Sequence, residues 1–164
     1  GDEKPITGII PFLDDLIIFK TDSIWRLTGT TESSLQLSRT PASTGCNMPF
    51  TIVKLQDRIM FCNSSGLWFF DGVTARKATN RLDGFFAGKT INGIAPIVVN
   101  ATTEILAEAA AGEGVYYLSY SDNSTTNNRI LKIDLENEVL KKVEKNKKRK
   151  YEKKNGVNTR MGDM

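Results

Sequence analysis

The side chains that most often run catalysis are scarce in this chain. It contains no histidine, which removes the commonest general base and every Ser-His or Cys-His nucleophile pair. Its carboxylates offer one adjacent couple, Asp14 and Asp15, and a second acid in a similar context, Asp57. Neighbours on a strand point to opposite faces, and an Asp in a turn bonds backbone amides, so shaping a turn is the expected role rather than sharing a proton. Cys46 and Cys62 form no CxxC pair; two reduced thiols, Cys62 within a buried strand, are expected in preference to a disulfide, and no metal site. Neither GxGxxG nor GxxxxGK followed by Ser or Thr occurs, so no nucleotide or other cofactor is expected. The chain does not read as an enzyme. Asn63, Asn100 and Asn123 satisfy the N-x-S/T pattern, but GDEKPITG has no basic start or apolar stretch, so no secretory signal supports glycosylation there.

Two other constellations could bind rather than react. Trp25 and Trp68 could stack on sugars from a rim, or interlock adjacent sheets as packing knobs of roughly 200 Å² each; packing is preferred. Phe85 and Phe86 would be the loop aromatics of a carbohydrate- or receptor-binding module, and Asp15 and Asp57 the acids of a hydrolase. Lys145, Lys147, Lys148, Arg149 and Lys150 form a dense cationic run that could hold phosphate backbones without sequence preference, dock on a partner protein, or simply be solvated. Residues 1–140 carry 12 Lys and Arg against 16 Asp and Glu, residues 141–164 carry 10 against 3. The chain is thus a mildly acidic body with a basic tail.

The elements that position these residues repeat. LDDLIIFKTDSIWRLTG from Leu13 is echoed by LQDRIMFCNSSGLWFFDG from Leu55. Asp15 aligns with Asp57, Ile17 with Ile59 and Phe19 with Phe61 at an offset of 42, then Ile24 with Leu67, Trp25 with Trp68 and Gly29 with Gly72 at 43. An extra residue in the second turn would account for the change. A period of roughly 40 to 50 residues built of short apolar strands and polar turns belongs to propeller blades. The first copy reads as strands ending at Phe12, at Leu16 to Phe19, Ile24 to Leu27 and Leu35 to Ser38; the second as PFTIVKL, RIMFC, GLWFFDG and Ala75 to Ala78. A third, fainter copy has ILAEAAA as its inner strand, a turn at Gly112-Glu113-Gly114, VYYLSY, RILKIDL and a fourth strand at Val139 to Val143, with Gly114 matching Asp57. The glycines and Pro96 between Arg81 and Ile97 mark a long irregular connection. The expectation is an all-β chain of about three four-stranded antiparallel blades over residues 5–140, in units near 5–45, 46–100 and 101–140. Residues 141–164 would be a helical or disordered tail. No apolar run is long enough to span a bilayer.

PITGIIPFLDDLIIFKTDSIWRLTG, TPASTGCNMPFTIVKLQDRIMFCNSSGLWFFDG and, more weakly, VYYLSYSDNSTTNNRILKIDL together resemble the propeller-containing tail hub, nozzle or stabilisation proteins of short-tailed bacteriophages. The resemblance covers about Pro5 to Leu135. It implies structural work in a virion tail after assembly in the host cytoplasm, with other virion proteins and copies of itself as partners and non-specific contact with the genome DNA. It implies no catalytic residues; Asp15, Trp25, Gly29, Asp57, Trp68 and Gly72 would be blade-packing and turn positions. The chain departs from that pattern in VLKKVEKNKKRKYEKKNG and in supplying three units where a closed propeller has about four to eight. It is therefore expected to be a fragment of a larger ring or to complete one with other chains.

Overall fold

A computed structural model describes residues 3–98, 100, 106–136 and 139–142. Short runs rich in Ile, Phe, Trp and Tyr, broken by Asp, Asn, Ser and Gly, give strands and tight turns, and among the described residues twelve strands form three four-stranded antiparallel sheets. Sheet 1 holds β1 (Ile6–Phe12), β2 (Asp15–Lys20), β3 (Ile24–Thr28) and β4 (Gln36–Arg39) in that order. Sheet 2 holds β5 (Val53–Lys54), β6 (Ile59–Asn63), β7 (Gly66–Phe70) and β8 (Ala75–Lys77). Sheet 3 holds β9 (Glu108–Gly112), β10 (Val115–Tyr120), β11 (Arg129–Asp134) and β12 (Val139–Lys142). Each is an up-and-down meander. Of ILAEAAA, with its helical composition, the part from Glu108 enters sheet 3 as β9, where Ala109 and Ala111 pair with Leu118 and Tyr116; there tertiary pairing overrides intrinsic propensity. Between sheets 2 and 3 runs the irregular connection, which includes the helical turn α1 (Asp83–Phe86).

The strand registers correct the alignment of the repeat. Phe19 pairs with Ile24 and Ile18 with Trp25; Cys62 pairs with Leu67 and Phe61 with Trp68. These hairpins superpose at a constant offset of 43, with no inserted residue in the second turn. The first hairpin follows the same rule, since Phe12 pairs with Asp15 around Leu13-Asp14, and the Leu55 amide donates to the Arg58 carbonyl at 2.8 Å around Gln56-Asp57. Asp14, not Asp15, is the counterpart of Asp57. The counterpart of Phe19 is Cys62, and that of Phe61 is Ile18. In sheet 3 Gly112 pairs with Val115 around Glu113-Gly114, so Gly114 does match Asp57, and Leu118 pairs with Leu131 as Phe61 does with Trp68.

That one-residue correction decides which face each side chain occupies, because strand side chains alternate. Ile17, Phe19 and Ile24 of sheet 1 are buried against sheet 2, where the Phe19 ring meets Phe61 edge-on at 5.1 Å and Phe70 at 6.4 Å between centroids. The opposite face of sheet 2 carries Met60, Cys62 and Leu67, buried towards sheet 3. There the Tyr116 hydroxyl donates to the Thr51 carbonyl at 2.7 Å and lies 3.6 Å from Cys62 Sγ. Sheet 3 turns Tyr116, Leu118, Leu131 and Ile133, all buried, to sheet 2. A single apolar core thus runs through all three sheets.

Candidate functional site

Equivalent residues meet the preceding sheet in two cases out of three. Ile59, Phe61 and Phe70 of sheet 2 are buried against sheet 1, and Tyr116, Leu118 and Ile133 of sheet 3 against sheet 2. Their counterparts in sheet 1 are Leu16, Ile18 and Leu27, which share a face with Ile9, Trp25 and Leu37 by register. No described residue covers that face. Ile9 is 57 % exposed and Leu37 59 %, while Leu16, Ile18, Trp25 and Leu27 are half-buried by their neighbours in the sheet. Its only charges are Lys20, whose ammonium lies 5.8 Å from the Trp25 ring centroid, and Arg39, paired across from Trp25. A contiguous apolar sheet face with cations at one end is the kind of patch that protein surfaces rarely leave uncovered.

The residues singled out from sequence fall mostly into supporting roles. Asp15 starts β2 and sits 3.6 Å from Arg26 Nε in an ion pair without a hydrogen bond. Asp57 is exposed in its turn and pairs with adjacent Arg58, whose hydrogen bond holds its carboxyl below the usual range. Arg58 in turn lies 5.3 Å from the Phe69 ring centroid, so sheet 2 has a cation–π contact where sheet 1 has the Asp15–Arg26 pair. Each Trp indole donates into its own hairpin turn, Trp25 to Ser23 Oγ at 3.2 Å and Trp68 to Asn63 Oδ1 at 3.0 Å. Asn63 also donates to the Gly45 carbonyl at 3.0 Å, which ties that turn to the crossing from sheet 1. Gly29 and Gly72 have φ of 95° and 100°, a region that disfavours a Cβ. At Gly29 a Cβ would also be driven into the Ser34 carbonyl, and at Gly72 it would rest against the Phe12 ring. The tail residues Lys145, Lys147, Lys148, Arg149 and Lys150 lie outside the described residues.

Phe85 and Phe86, expected as exposed loop aromatics, are buried instead. Helical turn α1 folds them inward, where Phe85 packs edge-on against Phe86 at 5.2 Å and Tyr120 at 4.9 Å. The Asp15 and Asp57 carboxylates are each engaged with an arginine rather than brought together. Cys46 and Cys62 are free and buried; burial pushes both thiols up to about 12, leaving them protonated and poor nucleophiles at neutral pH. Among the described residues no group of three or more Cys, Asp or Glu gathers as a metal site would require, and no helix is long and apolar enough to cross a membrane. An open cleft of about 930 Å³ lies between the turn ends of sheets 2 and 3, bordered by Arg58, Met60, Phe69, Gly114, Leu135 and Glu136. Of its two basic residues, Lys54 and Arg58, Arg58 is already committed to Asp57 and Phe69.

Sequence inspection missed the face of Ile9, Leu16, Ile18 and Leu37. The signal was present in the uniform offset of 43, which places Ile18 opposite Phe61 and so marks it as an interface position. No protein-family model matches the chain, and no curated protein matches it.

Proposed function

We propose that the chain is a structural module that works by assembly, its three sheets being consecutive blades of a propeller whose ring is completed by other chains. Three features support the blade reading. Each sheet is a four-stranded meander, successive sheets meet through the same pair of opposite faces, and the first strands lie together, β5 beside β9 and the 49–51 turn beside both β1 and β9. The observation that carries assembly is the open face of sheet 1, whose equivalents in sheets 2 and 3 are closed. In the setting suggested by the resemblance, the assembly is a phage tail hub or nozzle, with the Lys145–Lys150 run available to the genome passing through it.

Light scattering across micromolar concentrations tests the reading. Association that Ile9→Lys with Leu37→Glu abolishes is the expected result, because each residue buries a side chain worth about 1.5 to 3 kcal/mol only in an assembly. Both positions are exposed, so the folded chain should keep its circular dichroism spectrum. A wild-type chain that stays strictly monomeric and melts cooperatively would overturn assembly through this face.

A further inference from the structure

The open face of sheet 1 has a defined kind of mate. In both interfaces within the chain, a face equivalent to Leu16 and Ile18 is covered by a face equivalent to Ile17, Phe19 and Ile24. In sheet 2 those covering positions are Met60, Cys62 and Leu67; in sheet 3 they are Tyr117, Ser119 and Ile130, by the registers Tyr117 with Lys132 and Ser119 with Ile130. The sheet 3 set covers nothing among the described residues. Tyr117 is 39 % exposed and Ile130 42 %, both larger than a solvent-facing strand requires.

From this we infer that the open face of sheet 1 is closed by the outer face of sheet 3 from a second copy of the chain, and the reverse, giving a two-copy ring of six sheets. The inference rests on the assembly reading above and names its partner. The new contact continues the repeat, since sheet 3 would stand to sheet 1 of the next copy as sheet 1 stands to sheet 2 within the chain. Such a contact joins two different surfaces, and a rotation that brings it back on itself gives a closed ring rather than a filament. Two copies of three sheets also fall within the range of about four to eight blades that closed propellers use. The two faces differ in character as well. Sheet 1 offers mostly aliphatic surface with Trp25, while sheet 3 offers the Tyr117 hydroxyl, Ser119 and Lys132 beside Ile130. Pairing sheet 1 with sheet 1 would set only cations, Lys20 and Arg39 of each copy, against one another, whereas the sheet 3 face carries Glu108 and Asp134 beside Lys132 and Lys141 and so offers charges of both signs.

Sedimentation of three purified forms tests the arrangement: wild type, the sheet 1 variant Ile9→Lys with Leu37→Glu, and the sheet 3 variant Tyr117→Glu with Ile130→Lys. The expected wild-type mass is twice the 18.2 kDa of the chain, and each variant alone should sediment as a monomer. Mixing the two variants should restore a species of two chains, because one of its two contacts then joins intact sheet 1 to intact sheet 3. All four substituted positions are at least 39 % exposed, and a wild-type circular dichroism spectrum with a cooperative melt confirms that the isolated variants fold. A sheet 3 variant that keeps the wild-type mass, or a mixture that stays monomeric, overturns the head-to-tail contact while leaving assembly through sheet 1 intact. Mass that climbs without limit as concentration rises overturns the closed two-copy ring. A monomeric wild type overturns the assembly reading itself.

Discussion

Ile18, Phe61 and Leu118 occupy one position of the repeat, paired respectively with Trp25, Trp68 and Leu131, and truncating each to Ala measures how closed its surroundings are. Phe61 is fully buried with its ring 5.1 Å from that of Phe19, so Phe61→Ala loses the transfer energy of the ring and leaves a cavity between sheets 1 and 2. About 3 to 5 kcal/mol is expected, and about 2 to 5 for Leu118→Ala, also fully buried. Ile18 is only half-buried. With roughly half of a side-chain burial energy at stake and no enclosed cavity, Ile18→Ala should cost about 1 kcal/mol in the dissociated chain. At about 3 °C per kcal/mol for a chain of this size, the melting points should fall by roughly 10 to 15 °C for Phe61→Ala and about 3 °C for Ile18→Ala.

The assay is thermal or urea unfolding followed by circular dichroism at two chain concentrations, one below and one above the association midpoint. Assembly adds stability by mass action, so the cost of Ile18→Ala should grow with concentration, towards that of its buried equivalents. The costs of Phe61→Ala and Leu118→Ala should remain constant, since their contacts lie within one chain. An Ile18→Ala variant that loses as much stability as Phe61→Ala at the lowest concentration would refute the reasoning, because the face would then already be closed without a partner.

The buried thiols set a limit at high pH. Folding raises Cys46 and Cys62 from 9.0 to about 12, so the native state keeps protons that the unfolded chain releases. Their contribution is therefore complete below about pH 9 and is lost as pH climbs towards about 12. Denaturant midpoints should fall through that window, less steeply in Cys62→Ala, and a thiol reagent at pH 8 should label the chain only after unfolding. The basic segment makes a separate prediction. Removing residues 143–164 should abolish retention of duplex DNA at low salt, and the intact chain's affinity should fall steeply with added salt; salt-independent binding, or binding that survives truncation, would exclude the Lys145–Lys150 run as the contact.

Strand content was legible from alternation and turn chemistry because both are local. VYYLSY and RILKIDL announce β10 and β11, and the turns at Thr21–Ser23 and Ser64–Ser65 fall where polar residues interrupt apolar runs. Face assignment was not legible, because it depends on register to a single residue. Matching Asp15 to Asp57 is the better letter match, yet it places Phe19 opposite Phe61 and hides that these two rings touch across an interface. Only the pairing of Phe12 with Asp15 reveals that Asp14 is the turn acid. Phe85 and Phe86 were misplaced for a related reason. A segment rich in glycine reads as exposed loop, but the bond from the Phe86 amide to the Leu82 carbonyl at 3.1 Å closes a helical turn that delivers both rings to Tyr120.

The corrected register also explains why the open face of sheet 1 was inconspicuous. Ile17, Ile18, Phe19 and their neighbours form a continuous apolar run, the pattern of a strand buried on both faces. β6, with IMFCN buried throughout, is such a strand and lies between two sheets. β2 has an equally apolar sequence but only one sheet beside it, so its even-numbered residues Leu16 and Ile18 carry the composition of an interior without one. A strand with one face in solvent would alternate apolar and polar residues. The absence of alternation in β2 is thus independent of the repeat, and it supports the same proposal, that the surface of sheet 1 is covered in an assembly.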